Sequence, residues 1–115
     1  MSLDVSIKRI APDTAVVTLD GALSLGTQLK IADTQIQDLI ASGISKLVLD
    51  LTAVPYSDSA GLGTLIHFYG LLQQRGGTIR LCGASERVAA LLRLTKTDVL
   101  LPTDPSIEAS LSVLE

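Results

Sequence analysis

The chain contains no tryptophan, one phenylalanine, two tyrosines, one cysteine and one histidine among 115 residues. A single cysteine, Cys82, can form neither an internal disulfide nor a cysteine-based metal site. Charge is also scarce, at 18% of residues, and the net charge is −3. Lys and Arg are scattered, so the basic patch of a nucleic-acid binder is missing. No stretch is long and apolar enough for a membrane span. The best, Thr64 to Leu72, is about half of the ~20 residues a bilayer requires. The start, MSLDVSIKRI, carries charge and lacks the apolar segment of a signal peptide, so a cytoplasmic protein is expected. What the chain has in quantity is aliphatic surface. Leu, Ile, Val and Phe make up about a third of it, enough to offset conformational entropy and to exclude disorder. No repeat or linker interrupts it, so residues 1–115 read as one domain.

Punctuation by Gly, Pro and Ser divides the chain into alternating elements. Leu3, Val5 and Ile7 alternate with polar residues, and Ala15, Val17 and Leu19 repeat the pattern after Pro12-Asp13, which predicts an N-terminal hairpin. Leu29, Ala32, Ile36, Leu39 and Ile40 recur at helical spacing, with Thr27 or Ser24 placed to cap the helix and Gly43 to end it. The strand KLVLDL and the loop TAVPYSDS lead into a helix over about 59–74. The strand TIRLC, a helix from the cap Ser85 to Leu94, a brief VLLP strand and a helix from about Pro105 to Leu114 complete the order. Strand–helix alternation after a hairpin implies parallel pairing through crossovers. The strands have one apolar and one mixed face, so the prediction is an α/β fold: a small mixed β-sheet with helices mostly on one face and the other face partly open.

Chemistry concentrates at Tyr56-Ser57-Asp58-Ser59-Ala60-Gly61-Leu62-Gly63, a strand-to-helix turn. Ser57-x-Ser59-x-Gly61 is similar to a nucleophile elbow, but hydrolysis needs a base within hydrogen-bond reach. His67 lies eight residues along the same helix, about 12 Å away, so a hydrolase is excluded by geometry. Gly61-Leu62-Gly63-Thr64 lacks the lysine of a Walker loop and the third glycine of a dinucleotide fingerprint, and close helix packing explains it better. Cys82 reads as a packed strand residue, His67 as solvated, and Asp50 and Asp58 as too isolated for a divalent metal. What remains is a serine at a helix start beyond the carboxyl end of a parallel strand, the functional edge of open α/β sheets. A phosphoserine there would be tolerated by the helix N-terminus yet add about −1.5 to −2 charges to a binding surface. On these residues alone, simple helix capping by Ser57, Asp58 or Ser59 explains the turn equally well.

VLDLTAVPYSDSAGLGTL resembles the signature of STAS domains, specifically the anti-sigma factor antagonists of bacteria, in which D-S-[SA]-G-[LIM]-[GA] follows a strand and loop. Leu19, Gly21 and Leu23 match an L-x-G-x-L element, and Asp104, Ser106, Glu108 and Ala109 match a final D-x-S-x-E-A helix, so the likeness runs over most of the chain. The resemblance implies a STAS-like fold with no catalysis and no cofactor of its own. It makes Ser59 the phosphoacceptor of a partner that is both serine kinase and anti-sigma factor. The unphosphorylated form would bind that partner and free a sigma factor, and a metal-dependent serine phosphatase of the PP2C type would reset the switch. Two positions depart from the pattern. Ser24 stands where many members carry an acidic residue, which bears on partner identity, and Ala60 removes an alternative acceptor. At about 100° per residue, Leu62, Leu65, Ile66, Tyr69 and Leu72 are expected to face the core. Ala60, Thr64, His67 and Leu71 fall on the opposite arc, with Phe68 at its edge. Together with Asp58, Ser59, Gly61 and Gly63 they form the expected partner-binding set, and a homodimer is a further option. The competing reading is a non-catalytic STAS subunit of a lipid or anion transport system; a stressosome-like scaffold component is the third.

Overall fold

The computed structural model describes residues 2–115. Strand β1 (Asp4–Ala11) turns through Pro12-Asp13 into β2 (Thr14–Asp20), and the two pair antiparallel from Asp4↔Asp20 to Arg9↔Ala15. A bulge between Arg9 and Ala11 leaves Ile10 without a partner. Helix α1 (Thr27–Ala41) leads to β3 (Lys46–Ala53), α2 (Ser59–Gln74) to β4 (Thr78–Cys82), and α3 (Glu86–Leu94) to the two-residue strand β5 (Thr103–Asp104). Helix α4 (Ile107–Leu114) ends the chain. The sheet order is β1-β2-β3-β4-β5, parallel from β2 onward, as crossover helices demand. Among the described residues no helix is long and apolar enough to cross a membrane.

The main core lies between one sheet face and α1, α2 and α3. Ala15, Val17, Leu19, Leu47, Leu49, Leu51, Ile79 and Leu81 supply the sheet side, and Leu29, Ile36, Leu65, Phe68, Val88 and Leu92 the helix side. This is the apolar face the alternation identifies. The opposite face is less open than expected. Val16, Val48 and Cys82, the apolar exceptions on the mixed face, pack beneath Ile107, Leu111 and Leu114 of α4, whose i, i+4, i+7 spacing makes one stripe. Arg80 clamps Asp104 through Nε at 2.6 Å and Nη2 at 3.0 Å, and Ser110 donates to the same carboxylate at 2.7 Å. That half-buried pair ties β4 and β5 to α4.

Two boundaries differ from expectation. The VLLP segment is not a strand; Thr97–Val99 forms a 3-10 turn and pairing begins only at Thr103. Lys96 takes a left-handed conformation (φ 59), which breaks the chain direction before the turn. Neither Thr27 nor Ser24 caps α1, whose N-cap is Gly26 with no side-chain bond. The helix ends at Ala41, and Gly43, at φ 113, reverses the chain as a glycine can.

Candidate functional site

The β3–α2 turn is held by a short parallel bridge between Leu23 and Ser57. Leu23 N–H donates to the Tyr56 carbonyl at 3.1 Å, and Asp58 N–H donates to the Leu23 carbonyl at 3.0 Å. Asp58 is the N-cap of α2. One carboxylate oxygen accepts from Gly61 N–H at 2.9 Å and the other from Leu25 N–H at 2.9 Å. The carboxylate therefore joins the β2–α1 loop to the first turn of α2. These bonds, that from Leu25 first and that from Gly61 next, hold its pKa below the ordinary 3.8 because both favour the ionised form. Gly61 is buried, and a Cβ there would collide with the Leu23 carbonyl oxygen and Ser57 Oγ. Only glycine fits against that backbone.

Capping by Asp58 releases Ser59. It opens the helix, is exposed, and its hydroxyl makes no side-chain hydrogen bond among the described residues. Ser57 differs: it is half-buried and donates to the Asp58 carbonyl at 3.0 Å. Of the two serines, Ser59 is the one with a free, outward hydroxyl. His67 is exposed, its Nδ1 3.8 Å from an Asp33 carboxylate oxygen on α1, and nowhere near the turn. Tyr56 in the loop carries Arg87 of α3 over its ring at 4.9 Å, which braces the loop from the other side.

The buried arc of α2 is Gly61, Leu62, Leu65, Phe68 and Leu72. Two members of the expected partner-binding set thus belong to the interior. Phe68, 1% exposed, is a core residue and not the edge of an outer face. Gly61 is enclosed against Leu23. The helix is rotated by part of one residue step, because burying its one phenylalanine removes more apolar area than burying Ile66 or Tyr69, which remain half-buried. Leu71 is also half-buried and packs on the core. The outward strip from the turn consists of Ser59, Gly63 and His67, flanked by half-buried Ala60 and Thr64, whose hydroxyl folds back to the Ala60 carbonyl at 3.0 Å.

Sequence reasoning missed Leu25. It is 76% exposed although its N–H is fixed by Asp58, and it borders a depression of about 200 Å³ lined by Leu3, Ala22, Ser24 and Gly26. Its only sequence signal is an aliphatic residue in an otherwise polar, glycine-bounded loop, S-L-G.

The fold and the turn define a class: a small mixed-sheet α/β domain presenting a free serine at a capped helix start. The STAS domain model matches residues 6–110, and the chain belongs to the STAS domain family. An anti-sigma-B factor antagonist of Listeria monocytogenes is 30% identical over 95 residues, covering 83% of this chain and 82% of the relative. An anti-sigma factor antagonist structure from Mycobacterium paratuberculosis superposes with a TM-score of 0.82 at 22% identity, covering 97% of this chain and 93% of that one. The Bacillus protein SpoIIAA superposes in its unphosphorylated form with a TM-score of 0.83 (15% identity, 96% of each chain). Its phosphorylated form gives 0.72 at 15% identity, covering 97% of this chain and all of that one.

Proposed function

We propose that this chain is an anti-sigma factor antagonist whose binding to an anti-sigma factor is switched by phosphorylation of Ser59. The observation that carries the reading is the division of labour at the turn: Asp58 does the capping, so the adjacent serine is left exposed with an uncommitted hydroxyl. The Listeria relative, named an anti-sigma-B factor antagonist, and the existence of a phosphorylated SpoIIAA structure support the assignment. In the unphosphorylated state the anti-sigma factor docks on the strip from Ser59 along α2 and on exposed Leu25, and releases its sigma factor. The anti-sigma factor also serves as the kinase. Ser59 Oγ attacks the γ-phosphorus of ATP held by that partner, the bond to ADP breaks, and the hydroxyl proton passes to a base of the kinase. The phosphate adds about −1.5 to −2 charges to a surface of small and apolar residues, and docking is lost. A PP2C-type phosphatase hydrolyses the exposed monoester and restores the binding form. Mass spectrometry after incubation with the cognate kinase, ATP and Mg²⁺ tests the assignment: phosphate on Ser59 is expected, and phosphate on Ser57 or Thr52 with Ser59 unmodified overturns it.

A further inference from the structure

Strand β1 is an edge of the sheet, and among the described residues no element covers it. Its backbone groups pair with β2 on one side only, and residues 4–9 make no other backbone hydrogen bond among the described residues. Ile7 pairs with Val17 on the core side of the sheet, yet it is 45% exposed because no element lies beyond the edge. Val5, paired with Leu19 on that same side, is half-buried. Such an edge invites another strand unless charge, proline or a bulge blocks it. Here the bulge after Arg9 limits the regular stretch to Asp4–Arg9. Of its three charges, Asp4 and Lys8 stand in mirror positions across Ser6, and Arg9 at its end donates to Ser42 Oγ at 2.7 Å.

We infer that two copies of this chain associate through β1, antiparallel about a two-fold axis at Ser6, to form a continuous ten-stranded sheet. The register follows from the side chains. Pairing about Ser6 sets Asp4 opposite the second copy's Lys8 twice, and Val5 opposite its Ile7 twice, each pair on one face. Pairing about Ile7 sets Val5 opposite Arg9 and Asp4 opposite Ile10, and pairing about Lys8 sets the two lysines together. Pairing about Val5 matches Val5 with Val5 and Leu3 with Ile7 but sets Asp4 opposite Ser6, so only the Ser6 register also joins opposite charges, with Arg9 falling beyond the matched stretch, opposite Leu3. The two-fold contact is self-complementary, as closed dimers require. It lies at the opposite edge of the sheet from β5 and uses neither α2 nor Ser59.

Sedimentation equilibrium of the full chain from about 10 µM to about 1 mM tests this, because a five-residue edge contact lies at the small, weak end of interfaces. A monomer–dimer equilibrium is expected. Lys8→Asp and Asp4→Lys each set like charges opposite one another twice and should weaken the dimer roughly tenfold or more. The double variant D4K/K8D restores the opposite pairing and should recover the wild-type constant. Circular dichroism melting checks that each variant is folded. Ser59→Asp should leave the dimer constant unchanged. A wild-type chain that stays monomeric to about 1 mM overturns the inference. So does a dimer indifferent to the single charge reversals, a double variant that fails to recover, or a dimer abolished by Ser59→Asp.

Discussion

Two glycines of α2 stand two residues apart and should respond to alanine in opposite senses. A methyl at Gly63 meets nothing within 4 Å, whereas one at Gly61 strikes the Leu23 carbonyl oxygen, Ser57 Oγ and the Leu23 side chain. In both cases alanine gains about 0.5–1 kcal/mol from lower unfolded-chain entropy and higher helix propensity. At Gly63 that gain stands alone. At Gly61 it is opposed by overpacking of about 1–3 kcal/mol, since the obstacle is backbone and cannot rotate away. Gly61→Ala should therefore lose about 1–2 kcal/mol while Gly63→Ala gains a fraction to one. Urea unfolding should separate the two midpoints by about 1 M or more for a domain of this size. The damage should also be local. Pushing Leu23 away stretches its bridge to Ser57, so the amide resonances of Leu23, Leu25 and Ser57 should move in Gly61→Ala and stay put in Gly63→Ala. Equal stability of the two variants, or unmoved amides in Gly61→Ala, would refute the close approach.

Phe68→Ala should cost about 3–5 kcal/mol by calorimetry, as expected for truncating a core aromatic that is 1% exposed. Leu71→Asp should also destabilise, because Leu71 packs on the core rather than standing in solvent; a variant as stable as wild type would show the helix rotated back. Ser59→Asp should weaken binding of the anti-sigma factor in calorimetry while Ser59→Ala binds but resists phosphorylation; equal affinities would point to a surface insensitive to charge. Asp104 lies below its ordinary pKa of 3.8, chiefly through the bond from Arg80, so folding favours its ionised form. Its stabilisation is complete above the unfolded value and is lost as pH falls through the lower folded value. Asp104→Asn should accordingly be less stable at neutral pH and approach the wild type as the pH falls through the lowered folded value, as read from urea midpoints; a gap that persists in strong acid would exclude the ionised pair as its source.

The register of this fold was legible wherever periodicity had a single cause. β1 through β4 and α2 follow from alternation, helical spacing and Gly or Ser punctuation, and α2 spans Ser59–Gln74 as its pattern predicts. VLLP misled because three aliphatic residues in a row fit either a strand or a buried turn; Leu101 is indeed buried, but in irregular backbone. Cover on the second face was also present, in Val16, Val48 and Cys82, though those residues read as interruptions of a mixed strand rather than as a landing place for α4. The phase of α2 was harder. Leu62, Leu65, Ile66, Phe68, Tyr69, Leu71 and Leu72 leave apolar residues nearly all round the helix, so periodicity does not decide which arc turns inward. Burial of Phe68 and the close approach of Gly61 to the Leu23 backbone do so together, and the second contact joins residues far apart in sequence.

A second long-range contact at this turn, the Asp58 carboxylate with Leu25 N–H, bears on how a charge could be added beside the helix start without unsettling the fold. An uncapped α2 would offer its free N–H groups to any nearby anion, and a phosphate on Ser59 would turn back onto its own helix. Here Asp58 already occupies Gly61 N–H and, across the loop, Leu25 N–H, and the depressed pKa keeps it anionic through the neutral range. A phosphate on Ser59 would meet the like charge of Asp58 beside it. That repulsion would favour an outward orientation, away from the core. The aspartate before the serine thus holds the loop and caps the helix, and on the proposed function it would also turn the added charge outward. Asp58→Asn would keep an acceptor for the cap while removing the repulsion, which separates the last role from the first two.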